Sequence, residues 1–389
     1  MTTHGKIQEI QSIMEFHKTK LGKICLGNSL ALFRDEISDG SVDLIVTSPP
    51  FGLVRKKDYG NVDADKYVEW FQPFARAFKK ALKPHGSLVI DIGGSWISGQ
   101  PTKSLYQYEL LISLCREFGF HLAQEFFWWN PARLPTPAEW VTVRRIRVKD
   151  AINCVWWLSP TPWPKASNRR VLQPYSDSMR ELLAKGYKPK LRPSGHDISD
   201  KFGIDNGAAI PPNLLALAHT ESNSRYIRYC AERGIKPHPA RFPVELPEFF
   251  IRMLTDTDDL VVDPFAGSCV TGEAADKTGR RWICCDLIRE YVEGAVGRFA
   301  TKKAEKSPAE TRIKRQHTEI SYRVYKPGLT WNGADGEPLP KDGGAKRVSR
   351  NKTKTRILLT SRPTAPPPHA AQLAFLDNFP PVQDWQKGK

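Results

Sequence analysis

A serine, two prolines and a phenylalanine follow an apolar run in the stretch IVTSPPFGLV, residues 45–54. Proline lacks an amide hydrogen and fixes its own φ, and it keeps the residue before it extended. Pro49 and Pro50 therefore make a stiff stub that cannot join a sheet, with the Ser48 hydroxyl at its start and the Phe51 ring at its end. These residue types suit the binding of a small flat group.

A second stretch whose residues could form a functional site is VVDPFAGSCVTG, residues 261–272. In it an apolar run ends at Asp263 and small residues precede a helix. Small residues let a backbone approach a ligand closely, and a helix N-terminus offers free N–H groups. The stretch is neither G-x-G-x-x-G nor a P-loop, so a phosphate site is not predicted. The residues that we assign to ligand binding here are Asp263, Phe265, Ala266, Gly267 and Ser268.

The next apolar run, RWICCD, ends in Asp286. An acidic residue at that position can accept hydrogen bonds from ribose hydroxyls. Together with the preceding turn it predicts a site for a nucleoside without a pyrophosphate, and S-adenosylmethionine fits this description. The alternative is an ordinary βαβ turn with two capping aspartates.

Elements that could position these residues alternate between strand and helix. The predicted strands are 24–26, 42–46, 87–94 and 121–129, and the predicted helices are 65–82 and 104–118. Helix 65–82 has an apolar residue at every third or fourth position. Such alternation predicts an α/β fold, a mostly parallel sheet with helices on both faces.

The composition is strongly basic. The chain of 389 residues has a net charge of +16, and residues 301–389 alone carry 18 Lys and Arg against 8 Asp and Glu. This charge predicts a polyanionic partner, usually nucleic acid, although a basic tail can also merely aid solubility. We expect no membrane span and no secretory signal. The seven cysteines lack CxxC spacing, so we expect free thiols in a reducing cytoplasm and no metal site.

The combination of TSPPF, DPFAGS and an acidic strand end resembles the β-class DNA amino-methyltransferases, which modify cytosine N4 or adenine N6. Further stretches resemble the PvuII-type cytosine-N4 enzymes of that family: RRIRVKDAINCVWWLS, RPSGHDI and HPARFPVELPEFFIRMLT. The similarity covers about residues 20–298. It implies a Rossmann-like sheet with one antiparallel strand, S-adenosylmethionine as cofactor and double-stranded DNA as substrate.

The resemblance also implies a domain organisation. Residues 1–159 would form the catalytic half, 160–236 a loop-rich target recognition insertion, and 237–298 the cofactor-binding half. Residues 299–389 would form a basic, Pro/Gly-rich extension. We expect a cytoplasmic enzyme of a bacterium or prophage, acting on the nucleoid. A homodimer and a cognate restriction endonuclease are conceivable partners.

In this family the S-P-P-F motif holds the exocyclic amine of a flipped base. Ser48 and the carbonyl of Pro49 would accept the two amine hydrogens, Pro50 would keep the stub rigid, and Phe51 would stack on the base. Asp91, at the end of the strand SLVID, is expected near the same edge of the sheet, where it would assist proton loss. The alternative role for Asp91 is a helix cap.

Other site residues follow from the resemblance. The segment before the cofactor strand would contribute His238, Pro239, Phe242 and Pro243 to the cofactor pocket. Cations after the clamp and in the insertion are candidates for DNA contacts: Arg55, Lys56, Lys57, Arg169, Arg170, Lys188, Lys190, Arg192 and His196. The alternative for the first three is a solvated basic loop.

Three alternatives to cytosine-N4 methylation stay open. The same clamp could hold adenine N6, although serine before Pro-Pro favours cytosine. Glutamine methylation in proteins also uses a Pro-Pro clamp, but the order of motifs differs there. A DNA-binding protein with a decayed site is disfavoured because both motifs are intact. No cysteine follows a proline, so covalent attack on cytosine C6 is not supported.

Overall fold

The computed structural model describes residues 12–52, 62–186, 203–218 and 224–300, together with the backbone of 190–191 and 197–198. The chain divides after Pro308 into two units, and all described residues lie in the first. Within these ranges no helix is long and apolar enough to cross a membrane.

One mixed sheet of nine strands forms the centre of this unit. The strands are β1 (Met14–Lys18), β2 (Gly22–Leu26), β3 (Val42–Thr47), β4 (Leu82–Ile92), β5 (His121–Trp129), β6 (Ile152–Ser159), β9 (Leu214–Ala216), β10 (Leu260–Asp263) and β11 (Arg281–Asp286). They lie side by side in the order β1-β2-β11-β10-β3-β4-β6-β5-β9. Two further strands, β7 (Lys190–Leu191) and β8 (Asp197–Ile198), form a separate antiparallel pair.

The strand directions confirm the predicted fold class. The strands β2, β11, β10, β3 and β4 are parallel to one another. Inside the sheet, β6 is antiparallel to both of its neighbours, β4 and β5. At the edge, β1 forms an antiparallel hairpin with β2. The carboxyl ends of β3, β4, β10 and β11 therefore meet at one edge, where ligands bind in open α/β sheets.

Helices cover both faces of the sheet. They are α1 (Ser29–Asp35), α2 (Tyr67–Ala81), α3 (Tyr106–Arg116), α4 (Asp177–Lys185), α5 (Arg225–Glu232), α6 (Glu245–Leu254), α7 (Val270–Lys277) and α8 (Arg289–Ala295). One core contains buried residues of α1, α2 and α3, and a second core contains those of α6, α7 and α8.

Helix α2 illustrates why the sequence folds in this way. Its apolar positions recur at helical spacing, and Phe71, Phe74 and Phe78 are buried against the sheet. Strand β4 begins directly after it, at Leu82, five residues earlier than the sequence pattern indicates, because Leu82 already pairs with Val42 of β3.

Part of the segment 160–236, expected to form a loop-rich insertion, is joined to the main fold. The segment contains the short helix α4. Strand β9, however, extends the main sheet by pairing in parallel with β5. Helix α5 packs against the cofactor half, where Tyr226 and Cys230 lie next to Gly294 of α8.

Candidate active site

Ser48 follows the last residue of β3, and the parallel register of β3 with β4 places it beside Asp91. Its Oγ donates a hydrogen bond to Asp91 Oδ2 at 3.1 Å. Because the hydroxyl proton is used in this way, the lone pairs of Ser48 Oγ are left to accept other hydrogens. The structure thus brings together two predicted catalytic residues that are 43 positions apart in the chain.

Asp91 is 5% exposed and has a second partner on the neighbouring strand. The amide nitrogen of Asn153, on β6, donates to Asp91 Oδ1 at 3.1 Å. Burial raises the pKa of Asp91 to about 6, against the hydrogen bonds from Asn153 and Ser48, which favour the charged form. A carboxylate with this pKa can take up a proton near neutral pH. Asp91 lies within β4 and does not cap a helix.

The Phe51 ring lies directly against the backbone of Gly93, which follows β4. A Cβ atom added at Gly93 would lie 2.5 Å from Phe51 Cε2, so no larger residue fits there without moving the ring. The Tyr106 hydroxyl donates to the carbonyl of Gly93 and helps to fix this segment. The aromatic wall of the clamp is therefore held in place by β4 and α3.

Asp263 connects the clamp strand to the turn that follows β10. It is 1% exposed. Thr47 Oγ1 donates to its Oδ1 at 2.8 Å, Thr271 Oγ1 donates to its Oδ2 at 2.6 Å, and the Phe265 amide donates to its Oδ1 at 3.1 Å. Burial raises the pKa of Asp263 to about 6, although these three hydrogen bonds lower it.

The expectation that Asp263 binds the cofactor directly therefore needs correction. Its carboxylate is enclosed by protein donors and does not line the cavity described below. A residue in this position acts through the turn that it holds. The Thr47–Asp263 hydrogen bond fixes the distance between the clamp and the turn.

The turn itself requires glycine at Gly267, whose φ is +50°. A Cβ atom added there would lie 3.1 Å from the imidazole of His238. The Gly267 amide donates to Asp286 Oδ2 at 2.8 Å, and the Ile288 amide donates to Asp286 Oδ1 at 2.9 Å. Burial raises the pKa of Asp286 to about 6 despite these amides. The carboxylate at the end of β11 is thus oriented by backbone donors.

His238 forms the opposite wall of this turn. Burial lowers its pKa to about 4, so the ring is neutral at neutral pH. Its ring packs edge-on against Tyr291 of α8, with 4.3 Å between the ring centroids. A neutral aromatic wall of this kind suits an adenine ring or a methyl group better than a phosphate.

The clamp and the turn open into one cavity of about 790 Å³. This volume is within the usual range for ligand sites. The predicted residues that line it are Ser48, Pro49, Pro50, Phe51, Asp91, His238, Pro239, Phe242, Phe265, Ala266, Gly267, Ser268 and Asp286. Pro243 does not line it, contrary to expectation, because it is buried at the start of α6, where its carbonyl accepts a hydrogen bond from Leu246.

The residues predicted to contact DNA lie in different surroundings in the structure. Arg169 is exposed. Arg170, by contrast, is bound within the fold: its Nη1 donates to the Thr255 carbonyl at 2.6 Å and to Asp256. The prediction that Arg170 contacts DNA is therefore corrected. The chain around Arg170 packs against the end of α6, and the sequence did not indicate this packing. The remaining candidates, Arg55, Lys56, Lys57, Lys188, Arg192, His196 and the side chain of Lys190, lie outside the described residues.

Several cavity residues were missed by sequence reasoning. They are Asn28 after β2, Trp70 and Phe74 of α2, Asn130 and Arg133 of the loop after β5, and Asn153 of β6. The apolar members had a signal, because they follow the helical periodicity of buried residues. Asn153 also had a signal, since a polar residue inside an apolar strand needs a partner. Arg133 in a loop had none.

A comparison with protein families decides the class of this site. The model of the N6_N4 methyltransferase family, described as DNA methylase, matches residues 42–297. The chain belongs to this DNA methylase family. The predicted family, enzyme class and cofactor, S-adenosylmethionine, are confirmed, as is DNA as the substrate.

Individual relatives of this DNA methylase agree. Type II methyltransferase M.PvuII of Proteus hauseri is 51% identical over 77% of this chain and 91% of its own length. M.BamHI of Bacillus amyloliquefaciens is 26% identical over 74% of this chain and 61% of its own length. The solved structure of the cytosine-N4-specific PvuII DNA methyltransferase has a TM-score of 0.61 and 44% identity, and the match covers 74% of this chain and 89% of that chain.

The residues around the turn fit S-adenosylmethionine. Asp286 would accept hydrogen bonds from ribose hydroxyls, the turn at Gly267 would let the backbone approach the ligand, and His238 would contact it from the opposite side. Since Asp286 already orients two backbone amides, its loss removes both a ligand contact and the order of the turn.

We therefore expect Asp286→Ala to weaken S-adenosylmethionine binding by about tenfold or more, because hydrogen bonds to a carboxylate are among the stronger ones. Isothermal titration calorimetry measures this affinity. The matched control is Glu290→Ala, an exposed carboxylate at the start of α8. Equal cofactor affinity in the Asp286 variant and the wild type would refute the assignment.

Proposed function

We propose that this DNA methylase transfers the methyl group of S-adenosylmethionine to N4 of a cytosine that is flipped out of duplex DNA at a specific site. The observation that carries the proposal is the Ser48–Asp91 pair, which opens into the same cavity as the turn at Gly267. The identity with M.PvuII and with the cytosine-N4-specific PvuII structure supports cytosine over adenine.

An exocyclic amine is a poor nucleophile because its lone pair is delocalised into the ring. Ser48 Oγ and the Pro49 carbonyl would accept its two hydrogens and hold the nitrogen closer to tetrahedral geometry. The cofactor supplies an electrophilic methyl group. Positive charge develops on the amine as it is methylated, and preorganised acceptors stabilise that charge. The polarisation of Ser48 by Asp91 strengthens its oxygen as an acceptor.

The methylated amine must then lose a proton. Ser48 Oγ can accept it while passing its own hydroxyl proton to Asp91 Oδ2, 3.1 Å away. This transfer needs Asp91 to be ionised beforehand. Because burial raises the pKa of Asp91 to about 6, the carboxylate is mostly ionised at neutral pH and still basic enough to receive a proton.

The rate should accordingly depend on pH. Below a pH of about 6 Asp91 becomes protonated and can no longer receive the proton, so the rate constant for methylation should rise with pH and level off above that value. Single-turnover rates at saturating cofactor and DNA measure this step without the pH dependence of binding. A rate that stays level from about pH 5 to about pH 8 would contradict proton uptake by Asp91.

Adenine N6 is the second candidate, because the clamp alone could hold either amine and the family includes both activities. Duplex DNA is the proposed form of the substrate, since the target base must leave the stack to reach the cavity. A cognate endonuclease is a further proposal, suggested by the type II relatives, and a homodimer and residence at the bacterial nucleoid are proposed beside it.

The proposal is tested by transfer of tritium from labelled S-adenosylmethionine to duplex DNA, RNA and protein. Incorporation into duplex DNA alone is expected. The position of the modified base can then be read by sequencing DNA from cells that express the protein. Label in protein and none in DNA would refute the proposal.

A further inference from the structure

Arg133 lies in the loop after β5 and lines the cavity at the base-binding end. Its Nη1 donates to the side-chain carbonyl of Asn153 at 2.9 Å. Within the described part of the chain, its other guanidinium nitrogens have no hydrogen-bond partner. The mechanism above uses Ser48 and Asp91 and leaves this cation without a role.

The bond to Arg133 fixes the orientation of the Asn153 amide. An arginine can only donate, so the amide oxygen of Asn153 must face Arg133 and its nitrogen must face Asp91. One hydrogen of that nitrogen is donated to Asp91 Oδ1 at 3.1 Å, and the second remains for another acceptor. Ser48 donates to the other oxygen of Asp91. Through Asn153, Arg133 thus determines in which direction the hydrogen bonds run toward Asp91.

Along the cavity wall, this series offers three kinds of contact in a fixed order. Ser48 offers an acceptor, Asn153 offers a donor, and Arg133 offers a charged donor. The Watson–Crick edge of cytosine carries the matching series: the N4 amine donates, and N3 and O2 accept. Enzymes that act on flipped bases read this edge by hydrogen bonds.

We propose that Arg133 is the residue that selects cytosine, because its guanidinium donates a hydrogen bond to O2 of the flipped base while Ser48 holds N4. This inference rests on the proposed function. Adenine presents an amine and a ring nitrogen in the same order, but a C–H group stands where cytosine has O2. The charged donor would then face a group that cannot accept, and a site built to hydrogen-bond a ligand group discriminates against ligands that lack it.

The test compares three synthetic duplexes that contain the target site found by sequencing DNA from cells that express the protein. The target position carries cytosine, adenine, or the C-nucleoside of 2-aminopyridine, which keeps the equivalents of N3 and N4 but has no O2. For the wild type, kcat/KM should be about ten- to a hundredfold higher with cytosine than with the 2-aminopyridine base, as expected for loss of a charged hydrogen bond.

In the Arg133→Met protein, kcat/KM should be about the same for cytosine and for the 2-aminopyridine base. The ratio of kcat/KM for cytosine to that for adenine should also be smaller than in the wild type. Since the ratio is taken within each variant, differences in duplex stability between the substrates cancel when wild type and variant are compared. The matched control is Arg144→Met, an exposed arginine in the following segment that pairs with Glu139, and it should keep the wild-type ratio.

Two results would overturn the inference while leaving the proposed function intact. The first is a wild type that methylates cytosine and the 2-aminopyridine base equally well, a result that does not depend on whether a variant folds. The second is an unchanged ratio in a folded Arg133→Met protein. A wild type that methylates adenine and not cytosine would instead refute the proposed function, and the inference with it.

Discussion

Replacing Ser48 by alanine is expected to lower the rate constant for methyl transfer by about two to three orders of magnitude, the usual effect of removing one preorganised group that stabilises transition-state charge. The substitution removes the acceptor for the amine hydrogen and also the path to Asp91. The affinity for S-adenosylmethionine should not change, because Ser48 does not belong to the turn at Gly267 that donates to Asp286. Single-turnover methylation and calorimetry measure the two quantities.

The control for this experiment is Ser41→Ala. Ser41 lies in the turn before β3 and donates to the carbonyl of Ser38, away from the cavity. The Ser41→Ala protein should have a rate constant for methyl transfer near that of the wild type. A Ser48→Ala protein that methylates within about threefold of the wild-type rate would mean that the Pro49 carbonyl alone holds the amine.

Arg298→Met is expected to have the largest effect on stability, about 3 kcal/mol, because it removes all the hydrogen bonds of a buried guanidinium, while Glu273 keeps its pair with Lys277. Arg298 is 6% exposed. Its Nη1 contacts Glu273 of α7 at 2.5 Å, and its Nε and Nη2 donate to the carbonyl and hydroxyl of Ser268 at 2.6 and 3.1 Å. Since Ser268 belongs to the cofactor turn, affinity for S-adenosylmethionine should also fall.

Urea unfolding with and without S-adenosylmethionine measures both effects. Arg289→Met provides the matched control, because Arg289 is an exposed cation on α8 that pairs with Glu293 at 3.9 Å. Surface pairs of this kind contribute at most about 1 kcal/mol. An Arg298 variant as stable as the Arg289 variant would show that the buried contacts of Arg298 are not needed for the fold.

The sequence predicts most of the central sheet because its strands are apolar runs and α2 has a clear helical period. It does not predict the early start of β4 at Leu82, where the residues KPH interrupt the apolar pattern but continue the strand. Nor does it predict β9, a strand of three residues that is stabilised by pairing with β5. Short edge strands depend on tertiary partners more than on local sequence.

The two motifs of the site could be read from the sequence, since each has an unusual local composition after an apolar strand. The connection between the two motifs could not be read from the sequence. The Thr47–Asp263 hydrogen bond joins residues 216 positions apart, and no local pattern predicts that Asp263 is enclosed and Asp286 faces the cavity. Asn153 and Arg133 are positioned by the antiparallel pairing of β6 with β4 and β5, which is likewise a non-local contact.

Digestion of methylated DNA to nucleosides, followed by mass spectrometry, identifies the methylated base directly. The DNA is incubated with the wild-type protein and S-adenosylmethionine, with Ser48→Ala as the parallel sample. N4-methyldeoxycytidine is expected in the wild-type sample, and it should be nearly absent from the Ser48→Ala sample. A dominant peak of N6-methyldeoxyadenosine in the wild-type sample would contradict the assignment to cytosine.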